Sequence, residues 1–83
     1  MRVQAADLEI GKLCCNHNKD TQGFYDNVHS LLLDAKEYRS VGTFVLLERH
    51  KKGTWNQYWC KILTADGHVG WVLFDSFQRF EQL

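Results

Sequence analysis

Cysteine and histidine crowd together at Cys14-Cys15-Asn16-His17, where the side chains could hold a metal. A zinc site wants about four ligands, usually spaced as C-x-x-C with a second pair elsewhere. In an extended segment Cys14 faces away from Cys15 and His17, and Cys60 adds only one further thiol. The spacing therefore predicts no metal site, and the cysteines fit small buried hydrophobes. Their odd number, with two of them adjacent, does not suit a disulfide-stapled secreted domain and points to a reducing, cytoplasmic setting. His29, His50 and His68 fall near expected loops or strand ends. No G-x-S-x-G elbow or phosphate-cradling glycine loop accompanies them, so neither catalysis nor a cofactor is expected.

A second chemistry is suggested by Arg49-His50-Lys51-Lys52, followed by Trp55: basic side chains for a nucleic-acid backbone beside a ring on which a base could stack. Against it stands the charge balance. Ten Lys plus Arg offset ten Asp plus Glu, whereas phosphate-binding domains carry a basic excess. Near-zero charge also weakens self-repulsion and favours self-association.

A third possibility is a contact surface made of aromatics. In an extended segment Cys60 and Ile62 share one face while Trp59 and Lys61 share the other, so a core that takes the first pair turns Trp59 outward. An outward Trp is a recognition anchor, or else it covers the flank of the fold or the long loop. Phe24 and Tyr25, in the polar stretch upstream, could line the same groove for a protein or peptide partner, or plug one end of the core.

The elements that must position these residues are clearest in the second half. Thr43 to His50 is apolar and β-branched, a strand buried on both faces at first and on one face later. Lys51-Lys52-Gly53-Thr54 supplies a turn, and Trp55 to Thr64 the next strand. Ala65-Asp66-Gly67 is a hairpin signal, followed by a strand from His68 to Phe74. Gly70 inside that strand implies a bulge or a close approach by another backbone. Asp75-Ser76 breaks the pattern, and Phe77 to Leu83 forms a last short strand.

Upstream, Glu9 to Cys15 fits a turn leading into a first strand, and Asn16 to Gly23 is polar loop. Residues 24–42 have two readings. Val28, Leu31, Leu32, Ala35 and Tyr38 are spaced as on a helix; alternatively Ser30 to Leu33 is a strand and Asp34 to Gly42 a loop. No apolar run approaches the roughly 18 residues of a membrane span, and Met1 to Asp7 has no continuous apolar stretch of signal-peptide type. At 83 residues the chain is one domain, 1–83, expected to be complete. Three Trp, five Phe and three Tyr make up for the short length of the core.

The run Trp59-Cys60-Lys61-Ile62-Leu63-Thr64-Ala65-Asp66-Gly67-His68-Val69-Gly70-Trp71-Val72 resembles the W-x-K-V…D-G-x-x-G-W-V core of bacterial SH3-type domains. Gly11-Lys12-Leu13 is similar to the G-D-L opening of small bacteriophage SH3-like proteins, with Lys12 in place of Asp. The resemblance covers Thr43 to Leu83. It implies a mainly β fold, a small five-stranded SH3-like barrel with a long connection after the first strand, encoded by a phage or bacterium. In eukaryotic SH3 domains the stretch matching Gly70 to Phe77 carries Pro where Leu73 stands, Asn where Asp75 stands and a ligand-contacting Tyr where Ser76 stands. PxxP recognition is therefore not what the resemblance implies here. The expected role is a non-enzymatic binding or assembly module contacting a protein or peptide through Trp59, Phe24, Tyr25 and Lys61. The alternative is a nucleic-acid-binding barrel using Arg49, Lys51, Lys52 and Trp55.

Overall fold

Alternating apolar residues from Thr43 onward organise a meander of three long antiparallel strands. The computed structural model describes residues 1–16, 21–31, 33–52 and 56–83. His17, Leu32, Gly53, Thr54 and Trp55, each invoked above, lie outside the described residues. The strands are β1 (Arg2–Gln4), β2 (Leu13–Cys15), β3 (Thr21–Phe24), β4 (Glu37–Ser40), β5 (Thr43–Lys51), β6 (Gln57–Thr64), β7 (Val69–Asp75) and β8 (Arg79–Gln82). The protein is mainly β, with no α-helix among the described residues. The radius of gyration of 11.5 Å is that of one compact body of this length.

Six strands form one antiparallel sheet in the order β1-β8-β2-β5-β6-β7, while β3 and β4 pair as a separate two-stranded sheet. The five strands expected thus become eight among the described residues, six of them in an open sheet with β1 and β7 at its edges. The described residues of the 24–41 stretch follow neither sequence reading. They hold the end of β3, a run of turns, and then β4; the residues at helical spacing are dispersed, with Leu31 and Tyr38 69% and 65% exposed.

The faces sort as alternation requires. Cys14, Phe44, Leu46, Cys60, Ile62, Val72, Phe74 and Phe80 are fully buried on the inner face, where the rings of Phe44, Phe74 and Phe80 lie 4.7–5.8 Å apart. A bulge between Leu46 and Glu48 inserts Leu47 and shifts the β5–β6 register by one, which bends the strand over the core. The 65–67 turn is a three-residue loop closed by the Gly67 amide on the Thr64 carbonyl at 3.0 Å, with Gly67 at φ +85°. Ala5 and Leu8, from a short 3₁₀ turn at Ala5–Asp7 and just after it, join the core from the chain start.

Phe24 and Val41, near the two ends of the β3–β4 excursion, are also buried in this core. Phe24 fills the space above Gly70, where a Cβ would lie 2.7 Å from its ring. The close approach expected at Gly70 is therefore real, although a ring makes it. The Tyr25 backbone pairs with Trp71 next door, with Tyr25 N–H on the Trp71 carbonyl at 2.8 Å and Trp71 N–H on the Tyr25 carbonyl at 3.2 Å.

Cys60 illustrates what the core does to a polarisable group. Burial pushes its thiol from 9.0 up to about 12, with the nearby Arg49 charge acting weakly in the opposite direction. Below pH 9 the thiol is protonated whether the chain is folded or not. As pH rises from there towards about 12, only the unfolded thiol ionises, so stability falls. Denaturant melts at about pH 8 and about pH 10.5 are expected to show Cys60→Ala losing about 1–2 kcal/mol less stability than the wild type over that interval. Equal losses in the two proteins would refute the assignment.

Candidate functional site

The outer face of β5, β6 and β7 gathers an aromatic cluster at the end where β3 crosses over. Period two places Glu48 and His50 of β5, Trp59 and Lys61 of β6, and Trp71 and Leu73 of β7 on this face. The registers pair Glu48 with Lys61, Lys61 with Trp71, His50 with Trp59, and Trp59 with Leu73. Tyr25, held by its backbone bonds to Trp71, lays its ring edge-on to Trp59 with centroids 5.1 Å apart at 84°. His50 lies 5.6 Å from Trp71 at 43°. Glu48 closes the charge balance, 3.7 Å from the Lys61 ammonium and 3.6 Å from His50 Nε2.

Trp59 corrects one expectation. It does lie on the face opposite Cys60, but it is only 3% exposed, because the excursion folds Tyr25 over it. Trp59 is the floor of the cluster, and half-buried Trp71, Tyr25, Lys61 and Leu73, with exposed Glu48 and His50, make the accessible surface. Phe24 requires a second correction. It is 2% exposed and belongs to the core, so it lines no groove; of the adjacent pair only Tyr25 reaches the outer face. Burial raises the Tyr25 phenol above its ordinary value, with the neighbouring Tyr38 adding to the effect.

The basic hairpin tip comes apart. Arg49 pairs with Cys60 on the inner side of β5, and its guanidinium donates to the Leu8 carbonyl and, at 3.4 Å, to the Ala5 carbonyl. It also stands 5.8 Å over the Tyr58 ring. An arginine so occupied fastens the chain start to the sheet and is not presented to a phosphate. Lys51 is exposed and Lys52 half-buried beyond it, and Trp55 is outside the described residues.

A polar cluster that the sequence reading missed joins β4 to the 65–68 turn. The Arg39 guanidinium contacts Asp66 at 3.0 Å and Glu37 at 3.2 Å, and Glu37 lies 2.8 Å from His68 Nε2. Arg39 also stands 5.7 Å over the Phe24 ring, against which His68 packs edge-on at 5.1 Å. The Thr64 hydroxyl donates to Asp66 and accepts the His68 amide at 3.1 Å. That hydroxyl bond, foremost, and the Arg39 charge hold the Asp66 carboxyl below its ordinary range. A groove of about 410 Å³ runs alongside, lined by Tyr38, Arg39, Ser40, Thr43 and Asp66 among others. Thr64 is engaged by its own turn, and His68 faces a carboxylate rather than a nucleophile. The arrangement clamps the excursion to the sheet and does not form a nucleophile–base pair.

Of the residues of the metal reading, Cys14 and Cys15 are described and His17 is not. Cys14 is buried, Cys15 half-buried on the other face, and no group of three metal-ligating side chains assembles among the described residues. No helix among the described residues is long and apolar enough to cross a membrane. Comparison of the chain with family models, with curated proteins and with solved structures finds no match.

Proposed function

We propose that the protein is a non-enzymatic binding or assembly module built on an SH3-like barrel, taking a protein or peptide partner on the Tyr25–Trp59–Trp71 face. The observation that carries this is the construction of that face. Three aromatic rings and a histidine converge on a rigid sheet, and a backbone pair pins the excursion that completes them. Large rings with few rotatable bonds lose little entropy when a partner orders them, and Tyr and Trp dominate contact energetics for that reason. Glu48, His50 and Lys61 rim the rings with mutually balanced charge, which suits a partner with both apolar and polar side chains. The barrel reading is supported by the β5-β6-β7 meander, the tight turn at Asp66-Gly67 and the short β8 that returns to pair with β2. The non-enzymatic reading is supported by the engaged state of Thr64 and His68 and by the position of Cys60, the most shifted thiol, within the core.

Trp71→Ala is the informative substitution, because Trp71 is half-exposed whereas Trp59 supports the face from beneath. Peptides selected from a displayed library against the wild-type protein are expected to bind Trp71→Ala at least about tenfold more weakly, a loss of about 1.4 kcal/mol or more. They are expected to bind Leu63→Ser, farther along the same strands, with unchanged affinity. Peptides that bind Trp71→Ala at full strength would place the contact elsewhere, provided circular dichroism shows that variant folded.

A further inference from the structure

The outer face carries a second feature, at the end of the sheet away from the aromatic cluster. Register places Leu13 of β2 opposite Val45 of β5, Val45 opposite Leu63 of β6, and Leu63 opposite Val69 of β7. Their strand neighbours Cys14, Phe44, Leu46 and Ile62 are buried, so these four form a continuous apolar row on the opposite face. Leu13 and Val69, at its ends, are 43% and 47% exposed, and Val45 and Leu63 are half-buried. A shallow, almost wholly apolar depression of about 150 Å³ runs along Leu13, Val45 and Leu63, reaching Thr43 and Ala65. No charged side chain belongs to the row. The next row along the face holds Glu48 and Lys61, which neutralise each other.

We propose that this row is a self-association surface on which a second copy of the chain seats the same row about a two-fold axis. Charge argues for this occupant. An acidic or basic partner finds no counter-charge in the row, whereas two copies bring together uncharged surfaces on chains of zero formal net charge, with no long-range repulsion to overcome. Shape agrees, because a two-fold axis turns the row end for end and sets the exposed Val69 of each copy towards the depression beside Leu13 of the other. The same residue pairs then meet twice, as an isologous contact requires. A standard interface takes roughly 800 Å² from each partner, close to one-sixth of the 5170 Å² accessible here, and one apolar row falls short of that. The dimer is accordingly weak, with a dissociation constant of about 10–100 µM.

Sedimentation equilibrium from about 5 µM to about 1 mM tests it. The average mass of the wild-type chain is expected to rise from 9.7 kDa towards twice that value. Val45→Lys puts like charges at the centre of the contact and is expected to weaken association at least about tenfold. Val69→Lys, at an exposed strand end, is expected to do the same and serves where the first variant fails to fold. Leu33→Asp, which removes a 95% exposed leucine from the connection between β3 and β4, is expected to leave the dimer unchanged. A wild-type chain that stays monomeric throughout would overturn the proposal. So would a dimer insensitive to the lysine substitutions, or one abolished by Leu33→Asp.

Discussion

Phe24→Ala is expected to destabilise the protein by about 3–5 kcal/mol, a large share of what a domain of this size holds in reserve. The ring is 2% exposed, sits directly over Gly70, and is flanked by His68 and Arg39 at 5.1 and 5.7 Å. Truncation leaves a cavity beneath the excursion, and it also loosens the neighbouring Tyr25–Trp71 backbone pair that holds Tyr25 over Trp59. Denaturant melts measure the loss, and a shift in Trp emission before the main transition would report release of Tyr25. Gly70→Ala probes the same contact from the other side. A Cβ there would meet the Phe24 ring at 2.7 Å, so the substitution is expected to cost about 1–3 kcal/mol in the wild type. In the Phe24→Ala background it is expected to cost almost nothing, because the cavity receives the methyl group. Additive losses in this double-mutant cycle would show that Phe24 is not what keeps position 70 a glycine.

The second large effect belongs to Arg49. Its guanidinium satisfies carbonyls of Ala5 and Leu8, two residues that are themselves 0% and 2% exposed, and packs over Tyr58. Arg49→Ala takes this donor from the Leu8 carbonyl, while the Ala5 carbonyl keeps the Leu8 amide at 3.4 Å, for an expected loss of about 2–3 kcal/mol. Arg49→Lys restores the charge without the planar fork and is expected to recover less than half of it. The loss should persist with little change at high salt, because the carbonyl bonds are short-range and sheltered. A loss that salt erased would mean that the arginine acts as a surface charge, as the sequence alone implied.

These two residues show where sequence reasoning reached and where it stopped. Alternation along Thr43 to Phe74 was legible because a period of two decides the side of the sheet, and Ile62 and Val72 are both fully buried. The 65–67 turn was legible because Asp66-Gly67 is a local signal. Side of sheet, however, does not say what lies on top. Trp59 is turned as alternation demands, yet its cover comes from Tyr25, 34 positions earlier in the chain. For the same reason Phe24 could not be told apart from a groove residue, since its partner Gly70 is remote in sequence. β1 is too short to display a period, and β3 and β4 are polar strands with weak alternation. The Arg39–Asp66 and Glu37–His68 pairs span 27 and 31 positions and leave no local trace. Arg49 was misread because its neighbours His50, Lys51 and Lys52 made a basic run, while the bulge after Leu46 set which of them turns inward.

The pairing of Tyr25 with Trp71 has one more consequence, which concerns keeping the molecule apart from its neighbours in a crowded solution. β7 is the terminal strand of the large sheet and among its most apolar, the kind of open margin along which unrelated chains stack into aggregates. By occupying the amide and carbonyl of Trp71 near the middle of that margin, Tyr25 interrupts the ladder a foreign strand would need. A small crossing of two backbone segments thus acts as a guard rail.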